Sequence, residues 1–164
     1  MRELPVFIVA FVLYIVVTGS MTLYDIITGV ITGVTAALLF SKHLIKNPKK
    51  ALNPGRWLSF LIYFIKYVTV IELRAHLDVM KRIITKETRP GIVKVPITVR
   101  DEYGRFLVAN SITNTPGTVT VYMDDEYAYV NWISVETDDM EERRRKILEE
   151  FEKNAIKIFG GADE

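Results

Sequence analysis

The sequence contains no cysteine, which excludes disulfides, thiolate metal sites and thiol catalysis. Histidine is also scarce: His43 and His76 lie far apart and form no His-x-x-x-His pair of the kind that binds zinc on a helix. The sequence has no P-loop, no dinucleotide-binding glycine pattern and no Gly-x-Ser-x-Gly motif. We therefore expect no cofactor, no bound metal and no catalytic residue in this chain.

Charge is almost missing from the first part of the chain, where Asp25 is the single charged residue between Leu4 and Phe40. A membrane-spanning helix needs about 20 apolar residues. The stretch is long enough for two short spans, over about residues 4–17 and 21–42, on either side of Thr18-Gly19-Ser20. It is too long for a signal peptide, and no small-residue cleavage site follows it. We expect both segments to stay in the membrane.

Small residues share one face of the second segment. Gly29 and Gly33 form a GxxxG motif, with Asp25 one turn before it and Thr32 and Ala36 beside it. Such a face lets another helix approach closely in lipid. We expect Asp25, Gly29 and Gly33 to form a helix interface with a partner subunit. The sequence leaves open whether Asp25 is a functional intramembrane carboxylate or a capping group near the membrane boundary.

The two parts of the chain differ strongly in charge. Residues 1–100 contain 14 Lys/Arg and 5 Asp/Glu, a net charge of +9, whereas residues 101–164 contain 7 and 15, a net charge of −8. A basic loop follows the second segment, and by the positive-inside rule it is cytoplasmic. Its basic residues are Lys42, Lys46, Lys49, Lys50 and Arg56. Anionic lipid headgroups explain this charge better than nucleic acid does. The pattern predicts a multi-pass protein of the inner membrane with a cytoplasmic soluble domain.

A third apolar segment begins at Trp57, and its helical pattern continues to about residue 84. This helix either lies tilted along the cytoplasmic boundary or spans the membrane and leaves one basic cluster outside, and we favour the first arrangement. Its polar candidates are Lys66, Glu72 and His76. Lys66 is expected to extend toward the membrane interface. Glu72 and His76 are one turn apart, either as a proton-relay pair or as ordinary packing residues.

Residues 90–164 have the pattern of a small soluble domain. We predict strands over 92–99, 118–123 and 127–133, with a hairpin turn at 124–126. We predict a helix from 102 to 113, capped by Asp101 with Phe106 and Leu107 buried, and a last helix from 137 to 159 whose apolar stripe begins at Met140. The predicted architecture is a membrane-embedded helical region, residues 1–89, followed by an α+β ferredoxin-like (β-α-β-β-α) domain, residues 90–164.

One segment closely resembles a known family. Residues 109–118 resemble the signature A-N-S-I-T-x-T-P-G-T of the E subunit of Mrp-type (Mnh-type) multisubunit Na⁺/H⁺ antiporters, and related subunits occur in membrane-bound hydrogenases and sulfane-sulfur-reducing complexes. The matching positions are Ala109, Asn110, Ser111, Ile112, Thr113, Thr115, Pro116, Gly117 and Thr118. The resemblance extends to Phe64-Ile65-Lys66-Tyr67, to Ala75–Val79, to Pro90–Val93 and to Tyr129–Ile133, where Asn131 replaces the histidine usual in that family. That replacement puts any proton-handling role of this strand in doubt.

The resemblance implies a non-catalytic accessory subunit. In that family the ion path runs mainly through large antiporter-like partners, and the E subunit contributes assembly contacts. The parent complex is either a dedicated Na⁺/H⁺ antiporter or a respiratory complex that carries an antiporter module. The signature either builds the domain or binds a ligand, and we favour the first. The rival functions are a homo-oligomeric ion channel and a membrane-anchored ligand-binding or sensor module.

Overall fold

The computed structural model describes residues 2–160. The chain forms two compact units that meet in sequence between Pro54 and Gly55. In the first unit, α1 covers Glu3–Thr18, α2 covers Leu23–Leu44 and a short α3 covers Pro48–Ala51. Helix α1 ends where Gly19 adopts a left-handed conformation, with φ of +63°, and its N–H donates to the carbonyl of Ile15. The predicted break between two apolar helices is therefore confirmed.

Helix α2 is the one described helix that is long and apolar enough to cross a membrane, with a mean hydropathy of 1.8 over its best window. Only 17% of that window is buried within the chain. Helix α1 is apolar too, but its 16 residues fall below the usual length of a span. The structure thus confirms the two helices, while a second span remains a prediction.

One continuous helical run, which we call the long helix, extends from Pro54 to Thr85, and all but its first residue belongs to the second unit. It consists of α4 (Pro54–Lys66), a π-helical turn (Tyr67–Ile71) and α5 (Glu72–Thr85). In the π-turn the N–H of Glu72 donates to the carbonyl of Tyr67, five residues earlier. The sequence predicted this helix but not its π-turn.

A three-stranded antiparallel sheet follows the long helix, formed by β1 (Gly91–Pro96), β2 (Thr118–Met123) and β3 (Tyr127–Trp132) in the order β1-β3-β2. Val93 of β1 pairs with Val130 of β3, and Thr118 of β2 pairs with Trp132 of β3. The three predicted strands and their hairpin are confirmed. The ferredoxin-like classification remains a prediction.

Three helices complete the unit: α6 (Glu102–Asn114), α7 (Met140–Ile147) and α8 (Glu149–Phe159). Asp101 caps α6 as predicted, because its carboxylate accepts the N–H groups of Tyr103 and Gly104. Apolar side chains from the sheet, α6, the α7–α8 segment and the long helix form one core. Its members include Tyr63, Val93, Val95, Val108, Ile112, Val130, Trp132, Leu148, Phe151 and Ala155.

Three details of the predicted helices were wrong. Phe106 is 69% exposed, because α6 turns Gly104 and Val108 toward the core. A Cβ at Gly104 would lie 2.7 Å from a methyl of Val99, so the close approach there sets the rotation of the helix. The last helix is broken at Leu148, whose φ of −133° is not helical. This break lets the consecutive residues Ile147 and Leu148 both be buried; Met140, the predicted start of the stripe, is exposed.

Candidate functional site

The signature segment, residues 109–118, lies where α6 meets β2, and it holds the long helix through hydrogen bonds. The hydroxyls of Tyr63 and Ser111 are 2.5 Å apart, and both residues are buried. The hydroxyl of Tyr67 lies 3.3 Å from both the carbonyl of Ser111 and the hydroxyl of Thr115. Burial raises the pKa of both tyrosines, so they stay neutral donors at physiological pH. We call this cluster the signature joint.

Most remaining polar groups of the signature bond to the nearby backbone. Thr113 donates to the carbonyl of Ala109 at 2.8 Å and accepts the N–H of Thr120 at 3.2 Å. Thr118 donates to the carbonyl of Ile112 at 2.8 Å. Asn110 donates to the carbonyl of Phe106 from an exposed position. These bonds tie the end of α6 to the start of β2, so these side chains are occupied by the fold itself.

Pro116 and Gly117 form the turn between α6 and β2. Gly117 has φ of +94°, a region that side chains disfavour, and its carbonyl accepts the N–H of Ile133. A Cβ at Gly117 would lie 3.1 Å from a methyl of Ile133 and 3.4 Å from a methyl of Val79 on α5. This turn therefore lets α5 approach the sheet closely.

Lys66 is directed from α4 toward α8 rather than away from the protein. Its ammonium lies 2.5 Å from the carboxylate of Glu150, and both side chains are about half exposed. At the other end of the long helix, Arg82 pairs with Glu136, which also binds Lys146 at 2.7 Å. Hydrogen bonding to Lys146, and then to Arg82, holds the pKa of Glu136 below its ordinary value. The long helix is thus fastened to the domain by ion pairs near both ends of its contact.

Glu72 and His76 contact each other across one helical turn. The Nδ1 atom of His76 lies 2.8 Å from the carbonyl of Glu72 and 3.5 Å from its carboxylate. The histidine side chain is 62% exposed, whereas that of Glu72 is 19% exposed and has one carboxylate oxygen without a partner in the described part of the chain. Helical spacing brings the pair together, and the carboxylate of Glu72 also interacts with the hydroxyl of Tyr67, where it contributes to the raised pKa of that tyrosine.

Asp25 belongs to the N-terminal cap of α2. Its carboxylate accepts the N–H of Thr22 at 3.2 Å and the hydroxyls of Ser20 and Thr22, while the hydroxyl of Thr22 accepts the N–H of Asp25 at 3.3 Å. This reciprocal pair is a capping box. Of the two roles that the sequence left open, capping is the one the geometry displays.

The face of Gly29 and Gly33 is covered by α1 of the same chain. A Cβ at Gly33 would lie 2.9 Å from the ring of Phe7, and a Cβ at Gly29 would lie 3.0 Å from the ring of Tyr14. The aromatic side chains of α1 fill the space that the two glycines leave, and a contact of this face with a partner subunit stays a prediction. Ala37 and Ser41 continue the buried stripe.

Sequence reasoning missed a buried carboxylate that joins three segments of the domain. Glu152 on α8 is 1% exposed and accepts the N–H of Thr98 at 2.5 Å, the Thr98 hydroxyl at 3.0 Å, and a guanidinium N–H of Arg144 at 2.5 Å. The burial of Glu152 was not predicted because this residue lies in a run of charged residues, and such runs are usually solvated. Tyr63 and Tyr67 were missed as well, although their i, i+4 spacing within an apolar segment is a usable signal.

No three histidine, aspartate or glutamate side chains within residues 2–160 converge to hold a metal ion. The groups described above make hydrogen bonds and ion pairs between elements of the fold.

Comparisons with known proteins place the chain in a family. A family model described as Na⁺/H⁺ ion antiporter subunit matches residues 7–158. The Na(+)/H(+) antiporter subunit E1 of Staphylococcus haemolyticus (strain JCSC1435) is 30% identical over 153 residues, which cover 90% of each chain. The Na(+)/H(+) antiporter subunit E1 of Staphylococcus aureus (strain JH9) is 32% identical over 143 residues, covering 82% of this chain and 84% of the relative.

A solved structure is also similar over nearly the whole chain. A chain of the membrane-bound sulfane sulfur reductase, an archaeal respiratory membrane complex, superposes with a TM-score of 0.85 at 31% sequence identity. The match covers 96% of this chain and 99% of that chain. The resemblance seen in residues 109–118 is confirmed, and this chain belongs to the Na⁺/H⁺ ion antiporter subunit family.

Proposed function

We propose that this chain is a non-catalytic accessory subunit that supports assembly of an Mrp-type cation/proton antiporter module in the cell membrane. The observation that carries the proposal is the signature joint, in which the family's most specific residues bond to one another, to the backbone and to the long helix. Residues that serve a fold in this way position contact surfaces and do not perform a reaction. The partners are the other membrane subunits of the same complex, and the parent complex is a dedicated antiporter or a respiratory enzyme with an antiporter module.

In this proposal residues 1–89 are the membrane-associated region, with α1 and α2 as two short spans. Residues 90–164 form a ferredoxin-like domain on the cytoplasmic side. The positive-inside rule supports this orientation, because the basic loop lies directly after α2. Asp25, Gly29 and Gly33 hold the α1–α2 hairpin together. Lys66, Glu72 and His76 on the long helix act in positioning and not in ion movement.

The test removes this chain from its native complex and restores it in variant forms. Loss of the chain is expected to reduce the amount of intact complex on native gels and to reduce sodium-dependent proton flux in everted membrane vesicles. The wild-type chain is expected to restore both, and Ser111→Ala, which removes the partner of Tyr63, to restore them only in part. Thr35→Ala is the matched control, because its exposed hydroxyl bonds only within α2.

Three outcomes contradict the proposal. One is full complex assembly and full flux without the chain. Another is sodium or proton flux by the purified chain alone in liposomes, which would favour a homo-oligomeric channel. The third is retention of a specific small molecule by the purified chain, which would favour a sensor module instead.

A further inference from the structure

We infer that the long helix lies along the cytoplasmic surface of an anionic lipid bilayer, with its exposed apolar face in the lipid and its other face on the α+β domain. This inference deepens the proposed function, since it names what the exposed face of this subunit contacts. It resolves the two arrangements that the sequence left open.

The contacts of the long helix with its own domain argue against a third span. Tyr63 at one end of the contact is bound to Ser111, and Arg82 at the other end is bound to Glu136. A helix that spans the bilayer needs about 20 residues in the hydrocarbon, and the segment between Tyr63 and Arg82 would have to supply them. The α+β domain is bound to this segment, so it would be carried into the hydrocarbon as well, where unsatisfied polar groups cost several kcal/mol each.

The part of the helix before Tyr63 is too short to span on its own. From Pro54 to Ile62 it measures about 14 Å at 1.5 Å per residue. The hydrocarbon core of a bilayer is about 30 Å thick. This end is apolar around most of its circumference and enters the lipid without crossing it.

A stripe of large apolar side chains runs along the side of the helix away from the domain. All of its members are more than half exposed. They are Trp57, Leu61 and Ile65 in α4, Val68 in the π-turn, and Leu73, Leu77, Met80 and Ile84 in α5. Within each helix the spacing is three or four residues, which places them on one face. An exposed apolar stripe of this length marks a surface that contacts a membrane or another protein.

The π-turn keeps the two halves of this stripe in line. From Val68 the next residue on the same face of a regular α-helix is Glu72, followed by His76. The π-turn adds one residue, so that Val68 is followed by Leu73 and Leu77 instead. Glu72 is thereby turned toward the domain, where only 19% of its side chain is exposed. The local change of pitch thus places leucine rather than a carboxylate in the apolar stripe.

The charge beside the stripe matches an anionic surface. Residues 54–89 contain 7 Lys/Arg and 3 Asp/Glu. Arg74 and Lys81 lie on the exposed polar flank of α5, whereas Lys66 and Arg82 are paired with acidic residues of the domain. Aromatic and leucine side chains on one face with basic residues on its flank are typical of helices that lie in the membrane interface. A lipid surface therefore fits this face better than the acidic surface of another soluble protein.

The experiment measures the depth of single spin labels in the assembled complex, reconstituted into nanodiscs of zwitterionic and anionic lipids. This chain has no native cysteine, so single substitutions label it at one place. Labels are introduced on the apolar stripe by Leu73→Cys, Leu77→Cys, Met80→Cys and Ile84→Cys. Matched labels on the polar flank are introduced by Arg74→Cys, Asp78→Cys and Lys81→Cys. Collision rates with oxygen and with a water-soluble nickel complex report depth.

The four stripe labels are expected at one shared depth of about 5–10 Å below the headgroups, and the three flank labels in water. A depth that changes steadily by about 1.5 Å per residue, with no difference between stripe and flank, overturns the inference in favour of a third span. Stripe labels that neither reagent reaches also overturn it, because a partner subunit then covers the face. Native gels of the same samples report assembly, so a failed depth pattern in an intact complex refutes only this inference and leaves the proposed function standing.

Discussion

Removal of the buried carboxylate of Glu152 is predicted to destabilise the α+β unit severely. In Glu152→Ala the guanidinium of Arg144 loses its acidic partner, and the backbone N–H of Thr98 loses its acceptor. Breaking a buried ion pair from one side costs about 3–5 kcal/mol, since the remaining charge stays desolvated. Most single substitutions cost about 0.5–3 kcal/mol, so this effect is distinguishable.

The matched control is Glu149→Ala, on the same helix and with the same change of side chain. Glu149 pairs with Lys153 at 2.7 Å on the surface. An exposed i, i+4 pair contributes about 0.3–0.5 kcal/mol, so this variant is expected to unfold almost as the wild type does. Both variants remove one negative charge from α8, but only Glu152→Ala removes a fully buried carboxylate that is hydrogen-bonded to Arg144 and Thr98.

The assay is urea unfolding of the full chain in detergent, followed by the fluorescence of Trp132, which is buried in the core. The second tryptophan, Trp57, is exposed on α4, and Trp57→Phe removes its signal from all samples. The urea midpoint of Glu152→Gln is expected to lie between those of Glu152→Ala and Glu149→Ala. The amide oxygen still accepts from Thr98, but the negative charge opposite Arg144 is lost. A Glu152→Ala midpoint within experimental error of Glu149→Ala would refute the reasoning.

Three further predictions concern other contacts. Tyr63→Phe leaves the Ser111 hydroxyl unpaired in the core and is expected to cost about 1–3 kcal/mol of unfolding free energy in the same urea assay, with the exposed Tyr24→Phe unchanged. Gly33→Leu places a side chain where the ring of Phe7 on α1 now lies, 2.9 Å from the position of a Cβ. A cysteine crosslink between α1 and α2 is therefore expected to form less efficiently. An unchanged crosslink yield would contradict this packing. The folded-state pKa of Glu136 is lowered, so its stabilisation is fully present above its ordinary value of 4.5 and is lost as pH falls through the folded value. Glu136→Gln is therefore expected to flatten the loss of stability in melting curves recorded below about pH 5, and an identical acid slope would argue against the ion pairs.

Local patterns predicted much of the fold because they depend on neighbouring residues. The break at Gly19, the cap at Asp101, the hairpin at 124–126 and the alternating strands all follow from backbone preferences and from period-two or period-3.6 hydrophobicity. The side chains that face the core were predicted less well. Phe106 was placed inside because it is large and apolar, but the close approach of Gly104 to Val99 rotates α6 and leaves Phe106 outside.

The candidate site shows the same division. The signature residues 109–118 were identified from sequence, but their partners, Tyr63 and Tyr67, lie more than 40 residues earlier in the chain and were not. Gly29 and Gly33 lie in close contact with α1, whereas the sequence did not say which helix would approach them. The residue pattern of one helix specifies the shape of its surface, but it does not specify which other helix packs against that surface.

The sequence by itself determined that this chain has an apolar front, a basic middle and an acidic α+β end, and its residues 109–118 identified the family. Composition and short-range spacing are sufficient for these conclusions, because transfer to a membrane and helix or strand formation depend on local chemistry. Only the tertiary structure decided that α1 fills the glycine face, that Glu152 is buried, and that a π-turn aligns the apolar stripe of the long helix. These features depend on contacts between distant parts of the chain, where the partner that packs best is selected by the whole fold.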